Sequence, residues 1–441
     1  MKPAQATQAA TGTRARRPLL RLPLADPLLR SASALVLSTV IAGVLGIAYW
    51  IVAARNYPER TVGQESAALS AMLMLSNFAQ GNLFHGLTRF VPAAGRRTAR
   101  LVAWSYAGTC AAAVVLGTAF VLLAPLISPD LTFVRSSTLT GMAFVAAVTL
   151  WVVFALQDGV LTALRRPSWV PIENAIFGVV KLVLLLVFAS VLVDGGIFAS
   201  WNVPVLFAVI PVTILIFRRL IPAGAASAQA TPELRAREVA RFVAIDYASG
   251  LLLQTYTTAL PLLIVAKLGP EANAQFYVAY VFIAALDLVS VNIGTSLMVE
   301  GAHDEARLAE YTRRVLRRGG PLIVAAVVGV LAAASLVPSV FGHQYATDAP
   351  QVLRLLVLGS LPRMLGILYM AVMRVERRVD RIVAVQGATS VLVIGLSFVL
   401  SPRLGVEGVA VAWTCAHLTV AVALLPWLRR QLRTPSVEHT R

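Results

Sequence analysis

Long, continuously apolar stretches recur along the whole chain, separated by short polar segments. A run of about 20 apolar residues crosses the ~30 Å hydrocarbon layer of a bilayer when it folds as a helix. The runs do not alternate apolar and polar positions, as the strands of a membrane barrel do, so helices are predicted. We place twelve spans at residues 32–54, 64–88, 101–127, 139–163, 169–193, 196–217, 242–266, 273–298, 321–341, 352–373, 382–400 and 404–428. The pattern predicts an all-α polytopic membrane protein.

Composition agrees with this pattern. Hydrophobic residues make up 58% of the 441 residues and charged residues only 13%, and the mean hydropathy is +0.76. These values exclude an ordinary soluble domain. The formal net charge of +17 could suggest a nucleic-acid partner, so the placement of the basic residues has to decide between partners.

Basic residues are concentrated in every second connection between the spans. Together with the two tails, those connections hold 29 of the 38 lysines and arginines, whereas the opposite connections hold 5. By the positive-inside rule, both termini are expected in the cytoplasm and the number of spans is even. The charge then orients a multi-pass protein of the cytoplasmic membrane and contacts anionic lipids, and no nucleic-acid partner is expected.

A sequence echo at an offset of 212 residues indicates an internal duplication. The pairs that share this offset are 54–59 with 266–271, Arg165-Arg166 with Arg377-Arg378, and Trp201 with Trp413. The longest connection, Arg218 to Arg241, reads as a linker between halves. We expect an N-terminal lobe at residues 1–230 and a C-terminal lobe at 231–441. Because each lobe has six spans, both lobes begin on the cytoplasmic side, and the repeats are therefore parallel.

Three charged residues fall near mid-depth in predicted spans. Lys181 lies in span five, Arg363 follows the helix-kinking Pro362 in span ten, and Asp287 lies in span eight. Charge in hydrocarbon costs several kcal/mol, so such residues usually face a protein interior or a wet cavity. Lys181 and Arg363 are candidates for an anion site, with structural ion pairs as the alternative. Asp287 could neutralise one of them or bind a coupling ion.

Other polar residues follow helical spacing. One stripe in span two consists of Ser66, Ser70, Asn77, Gly81, His85 and Arg89, with Gln80 beside it, and a second in span seven consists of Asp246, Gly250, Gln254, Thr257 and Pro261. Each could line a cavity or join neighbouring helices. Asp158, Asp246 and Glu173 lie nearer the cytoplasmic end, where ion coupling and an interfacial or paired role are both open.

Several function classes are disfavoured. The outward connections are short and carry no paired carboxylates, which speaks against a membrane-embedded glycosyltransferase or ligase. The sequence has no glycine-rich phosphate loop, which speaks against an ATP-driven pump. Cys110 and Cys415 both fall inside spans and are too few for a disulfide framework or metal site. We therefore expect no enzyme activity, no cofactor and no metal.

Two segments resemble a known family. Residues 53–95, with Ala54-Arg55-Asn56-Tyr57-Pro58 and Arg89-Phe90-Val91-Pro92, look like the start of polysaccharide flippases of the multidrug/oligosaccharidyl-lipid/polysaccharide exporter superfamily. Residues 405–413 are similar to the last helix of that family, and the layout of two six-helix repeats agrees over almost the whole chain. The resemblance implies two lobes arranged as a V around a central path.

The resemblance further implies a flippase for an undecaprenyl-pyrophosphate-linked oligosaccharide or similar precursor. Lys181, Arg363 and Arg89 would then bind phosphate oxygens, while Asn77, Gln80 and Gln254 would contact sugar hydroxyls. Asp287, Asp158 and Asp246 are candidates for ion coupling. The implied partners are the lipid-linked glycan, membrane lipids and polysaccharide assembly proteins. A drug or metabolite exporter of the same superfamily is the main alternative. Members that resemble the peptidoglycan-precursor flippase generally have fourteen spans, whereas twelve are counted here, which disfavours that precursor as the substrate.

Overall fold

The computed structural model describes residues 43–81, 83–164, 169–192, 194–226, 256–304 and 307–433. Within these ranges the chain is almost entirely helical and contains no strand. Backbone hydrogen bonds are satisfied inside each helix, which is what a spanning segment requires in lipid.

The described residues of the first half form eight α-helices. Their bounds are α1 at 43–56, α2 at Glu59–Gln80, α3 at Leu83–Phe90, α4 at Thr98–Ile127, α5 at Thr138–Ala163, α6 at Trp169–Ala189, α7 at Gly196–Leu215 and α8 at Ile221–Ala226. A π-helical turn at Ile216–Leu220 joins α7 to α8, and a 3₁₀ segment at Pro129–Arg135 links α4 to α5.

The described residues of the second half form six more. They are α9 at Tyr256–Leu268, α10 at Pro270–His303, α11 at Leu308–Ala332, α12 at Leu336–Ser339, α13 at Ala349–Val375 and α14 at Val379–Arg433. The helices α2 and α10 start at equivalent places, since Pro58-Glu59 and Pro270-Glu271 are separated by the repeat offset of 212.

The helix α14 comprises two spans. Gly405 has φ 59° and ψ −141°, which interrupts the helix. A side chain added at Gly408 would meet the Leu400 carbonyl oxygen at 2.7 Å. In a continuous helix, positions eight residues apart are about 12 Å apart along the axis. The chain therefore turns back at Gly405, as the separate spans at 382–400 and 404–428 predicted.

The membrane fold matches the sequence-based prediction. In the described ranges, eight helices are long and apolar enough to cross a bilayer, with α14 counted once. With α14 counted as two spans, and with the further helices α1, α2 and α9, the number of spans is about twelve. The protein is an all-α polytopic membrane protein of about twelve spans in two parallel six-helix repeats.

Two predicted boundaries are wrong. Span two was expected as one helix over 64–88, but α2 ends at Gln80 because Gly81 adopts the left-handed conformation, with φ 51°, and its N–H caps the Asn77 carbonyl. The polar stripe therefore does not continue on one helix into α3. Span nine was placed at 321–341, whereas α11 begins at Leu308, so its first turns carry the arginines that were expected in a loop.

Buried apolar residues form two main cores. One is built mostly from α1 to α7, with Tyr49, Met72 and Leu161 among its buried members. The other is built from α9 to α14 and includes Phe276 and Trp413. The cores meet mainly where α2 packs against α10.

Candidate functional site

Arg363 is the centre of a polar cluster inside the second core. It lies midway along α13, and its Nε donates to Asp287 Oδ1 on α10 at 2.7 Å. Its Nη1 donates to the Tyr256 hydroxyl on α9 and lies 3.1 Å from His417 Nε2 on α14. Four helices thus converge on one guanidinium. Its planar set of donors suits it to several partners at once.

The hydrogen bonds of His417 fix its tautomer. His417 Nδ1 lies 2.8 Å from the Trp413 carbonyl oxygen, which can only accept, so Nδ1 carries the proton. Arg363 can only donate, so His417 Nε2 is the acceptor. Both contacts are satisfied by a neutral imidazole. The charge of this cluster therefore comes from Arg363 and Asp287.

Trp413 forms one wall of the cluster. The Arg363 Cζ atom lies 5.0 Å from the centroid of the Trp413 ring, within the range of a cation–π contact. Trp413 is fully buried, and Tyr256 and His417 pack against the same ring. Because its neighbours enclose it on several sides, Arg363 is held in one position.

A cavity of about 270 Å³ opens beside this cluster. Along α13 it reaches from Arg363 to Arg374, eleven residues or about 16 Å of helix. No carboxylate is among the described residues that line it. Its polar lining consists of Tyr256, Thr295, Arg363, Arg374, Gln386, Thr389 and His417. The remainder of the lining is apolar, so the two arginine side chains lie against a low-dielectric wall.

Lys181 occupies a different site, in the first core. Its side chain is buried, and its Nζ lies 4.0 Å from the centroid of the Trp201 ring and 5.0 Å from those of Tyr49 and Phe177. No carboxylate of the described residues forms an ion pair with it. Among the described residues, the ammonium is therefore stabilised by aromatic faces. The structure does not bring Lys181 and Arg363 together, since their contacts belong to separate cores.

The two halves join along the first turns of α2 and α10. Asn273 Nδ2 donates to the Gly63 carbonyl at 2.8 Å and to Ser66 Oγ at 3.0 Å. The hydroxyl of Tyr277 is hydrogen-bonded to Ser70. A Cβ added at Gly63 would lie 1.8 Å from the Pro270 carbonyl oxygen. Glycine is required here because the two backbones nearly touch.

Further contacts close the same end of the interface. Gln275 Nε2 donates to Glu59 Oε1 at 2.5 Å, and Arg60 Nη1 lies 3.3 Å from Glu271 Oε1. Arg55 Nε donates to the Val340 carbonyl at 2.7 Å, and Gln344 Nε2 donates to the Ala54 carbonyl at 3.1 Å. The duplicated segments 54–59 and 266–271 thus lie at the place where the halves contact each other.

Asn77 and Gln80 lie further along α2, away from this closed end. Asn77 is seven residues after Ser70 and therefore lies on the same face of α2. Near the start of α2, this face contacts α10 through Ser66 and Ser70. Gln80 Nε2 donates to Asn77 Oδ1 at 3.3 Å, while Gln80 Oε1 has no partner among the described residues. Both side chains are half-buried.

A carboxyl pair lies in the first core. Glu173 on α6 is buried, and neither of its carboxyl oxygens has a hydrogen-bond partner in the described part of the chain. Asp158 on α5 is hydrogen-bonded by Asn174, but its Oδ1 has no partner there. The hydroxyl of Tyr106 on α4 is likewise unpaired. This cluster brings three helices together around acidic groups.

Some predicted site residues cannot be placed. Gln254 and Asp246 lie outside the described residues, as do the side chains of His85 and Arg89. Sequence reasoning missed Tyr256, His417 and the role of Trp413 around Arg363. A signal was present, since Trp413 belongs to the repeat and His417 follows it by four residues, on the same helix face.

No protein-family model and no curated protein matches the sequence. Solved structures do match. The lipid II flippase MurJ in an inward closed conformation shares 12% identity over 89% of this chain and 87% of its own, with a TM-score of 0.68. An inward-facing multidrug resistance MATE transporter of the MOP superfamily shares 14% identity over 90% of this chain and 96% of its own, with a TM-score of 0.62.

The chain has the fold of the MATE and MurJ transporters. A MOP-superfamily transporter from Pyrococcus furiosus, described as having a binding pocket of reversed polarity, gives a TM-score of 0.58 at 12% identity over 92% of this chain and 95% of its own. Within this MATE/MurJ fold, the Arg363 cavity lies in the second half. The rings of Tyr49, Phe177 and Trp201 around Lys181, called the aromatic cage below, lie in the first half.

Proposed function

We propose that the protein is a transporter of the cytoplasmic membrane that flips an anionic, lipid-linked oligosaccharide from the inner to the outer leaflet by alternating access. The cargo class is an undecaprenyl-pyrophosphate-linked glycan or a related polysaccharide precursor. A pyrophosphate and a sugar lose solvation at a cost of many kcal/mol when they enter hydrocarbon, so the protein has to supply a polar, cationic path.

The Arg363 cavity carries this proposal. Its described lining includes Arg363, Arg374 and the neutral His417, but no carboxylate. Arginine donates charge-assisted hydrogen bonds to phosphate oxygens, and Arg363 Nη2 takes no part in the contacts with Asp287, Tyr256 and His417. Amide and hydroxyl side chains such as Gln386 and Thr389 suit sugar hydroxyls. The cavity chemistry fits an anionic head group with attached sugar better than a cation.

The engagement of Asp287 also bears on the choice of cargo. An exporter of cationic drugs needs carboxylates free to meet its substrate, and Asp287 is the acidic residue that contacts Arg363. Its Oδ1 is bound by Arg363 at 2.7 Å, and both side chains are 14% exposed. We therefore assign Asp287 to holding Arg363, rather than to ion coupling. The drug-exporter alternative loses its best candidate in this half.

The remaining roles belong to the same proposal. Lys181 is the second cation of the path, held in its aromatic cage until phosphate approaches. Asn77 and Gln80, which lie on α2 of the first half, contact the head group. Gln254 and Arg89 are kept as further contacts to the head group from the sequence alone. Asp158 and Asp246 are candidates for ion coupling. The polyprenyl tail stays in lipid, and polysaccharide assembly proteins receive the cargo. No cofactor takes part.

The closed end of the α2–α10 interface fits one state of alternating access. With both termini in the cytoplasm, Glu59 and Pro270 lie at the outer surface, so the contacts of Asn273 and Gln275 close the outside. The molecule is then in an inward-facing state. Transport would require these contacts to break while the lobes, one at residues 1–230 and one at 231–441, rotate.

The first test is made in cells. Deleting the gene should cause a lipid-linked glycan to accumulate in the inner leaflet, and wild-type protein should restore export. Arg363→Lys keeps the charge and should retain part of the activity, whereas Arg363→Gln combined with Asp287→Asn should abolish export. Arg354→Gln is a matched control because Arg354 is an exposed arginine on the same helix. Normal glycan export in the deletion strain would refute the proposal.

A further inference from the structure

A second cavity lies on the lipid-facing side of the first half. It is a groove of about 820 Å³ between α4 and α5. Its walls are one face of α4, with Val114, Thr118 and Leu122, and one face of α5, with Met142 and Ala146; Leu206 of α7 also lines it. The spacing of three or four residues on both helices makes the groove a single line along them.

The groove has the length of one membrane leaflet. On α5 it extends from Thr138 to Leu150, which is twelve residues or about 18 Å of helix. Half of a ~30 Å hydrocarbon layer is about 15 Å. The chain leaves the membrane between α4 and α5 on the side opposite the termini, so the groove runs from the outer surface to the bilayer midplane.

The outer end of the groove is polar and positive. Arg135 lines it, is exposed, and forms no ion pair with any described residue. The N-terminus of the 26-residue α5 lies beside it, where Ser137 Oγ accepts from the Thr140 amide at 3.0 Å. An arginine and the positive end of a helix at the lipid surface both favour a phosphate.

We propose that this groove binds a phosphorylated polyprenyl chain in the outer leaflet, with the phosphate at Arg135 and the chain lying against Thr118 and Ala146. The groove runs as one line along α4 and α5, with Leu206 of α7 also in its lining, and has one cation, Arg135, among its lining residues. That geometry suits a lipid with a single chain below its phosphate, whereas a membrane phospholipid brings two chains. The site deepens the proposed function by naming where the tail of the cargo lies on the outer side, and it rests on that function.

The test is photolabelling of the purified full-length protein in nanodiscs, with a diazirine-bearing polyprenyl phosphate as the probe. Labels should fall on residues 114–122 and 138–150. Arg135→Gln should lower labelling about fivefold, the effect expected of one arginine near an anionic lipid. Ala146→Phe should remove it, because Ala146 is exposed and the added ring fills the groove.

Two matched controls accompany these variants. Ala111→Phe adds the same ring at an exposed position of α4 outside the groove, and Arg403→Gln removes another exposed outer arginine. Both should label like the wild type. Unlabelled polyprenyl phosphate should compete, and phosphatidylglycerol at the same concentration should not.

Two results would overturn the site: labelling that Ala146→Phe and Arg135→Gln leave unchanged, or equal competition by phosphatidylglycerol, which would make the groove an ordinary phospholipid contact. The outcome is separable from the proposed function. If labelling behaves as expected but the protein moves no lipid-linked glycan, the groove stands and the flippase assignment falls.

Discussion

Trp201 and Trp413 are separated by the repeat offset of 212 residues, and each carries a buried cation against its indole ring. The cations come from helices that are not equivalent. At the same offset, Arg363 corresponds to Trp151, which packs on Trp201 with ring centroids 5.6 Å apart. The second half thus has an arginine where the first has a tryptophan, and the first supplies Lys181 from α6 instead. Both halves thus have a tryptophan at this position of the repeat, but the cation that contacts it comes from a different helix in each half.

The Lys181 cage gives the first prediction. A buried ammonium without a carboxylate partner loses solvation that aromatic rings replace only in part. Lys181→Met should therefore raise the free energy of unfolding by roughly 1 to 3 kcal/mol. The same variant should lower transport about tenfold if Lys181 meets the cargo, a loss of ~1.4 kcal/mol in transition-state binding. Thermal unfolding in detergent and a transport assay measure the two effects, with Lys181→Arg as the control that keeps the charge. A less stable variant with normal transport would make Lys181 a purely structural residue.

The Arg363–Asp287 pair gives the second prediction. Removing one partner leaves an uncompensated buried charge, so Arg363→Met or Asp287→Leu alone should each destabilise the protein by about 3 to 5 kcal/mol. The double variant should regain most of that stability because no charge remains. Transport should stay absent in the double variant, since the cavity has lost its central cation. Unfolding of all four proteins in the same detergent completes the cycle, and additive losses would show that the two residues are not coupled.

Gly63 gives the third prediction. The lack of space for a Cβ beside the Pro270 carbonyl oxygen means that Gly63→Leu should prevent α2 and α10 from closing. Spin labels at the exposed positions Asn56 and Glu271 should then report a longer distance than in the wild type. Gly43→Leu is the control, because a Cβ there meets no atom of the described residues within 4 Å. An unchanged distance distribution in Gly63→Leu would show that the outer contact is not a gate.

The carboxyl pair of Asp158 and Glu173 gives the fourth prediction. Glu173 is buried and neither of its carboxyl oxygens has a donor among the described residues, and the half-buried Asp158 lies beside it with one free oxygen, so the pair is a candidate for exchanging a proton. Glu173→Gln should make transport insensitive to an imposed proton gradient while leaving the fold intact, because glutamine has nearly the same shape. Tyr106→Phe tests whether the unpaired hydroxyl belongs to the same unit. Gradient-driven transport that is unchanged in Glu173→Gln would remove this pair from the mechanism.

The sequence predicted most of the architecture because helix formation in lipid depends on local apolar length. The expected spans at 101–127 and 139–163 differ from α4 and α5 by one to three residues at their starts. The turn at Gly405 was anticipated for the same reason, since polar residues separate two apolar runs there. The break at Gly81 was missed, because glycine within an apolar run is compatible with either a helix or a left-handed cap.

The site was less accessible to sequence reasoning. The mid-depth charges Lys181, Arg363 and Asp287 could be selected from their cost in hydrocarbon, but a span does not show which helix it faces. That Arg363 pairs with Asp287, 76 residues earlier in the chain, depends on how α10 packs against α13. The aromatic cage of Lys181 likewise joins α1, α6 and α7. Such contacts are set by tertiary packing, which hydrophobic periodicity does not encode.

The most direct test of the central claim is translocation in proteoliposomes that contain only the purified protein. A fluorescent oligosaccharide linked through pyrophosphate to a polyprenyl chain is placed in both leaflets, and an impermeant reductant reports which molecules change sides. We expect wild-type protein to flip this lipid, and the Arg363→Gln, Asp287→Asn double variant not to flip it. A cationic dye in parallel vesicles should not be moved. Transport of the dye without movement of the glycolipid would contradict the account.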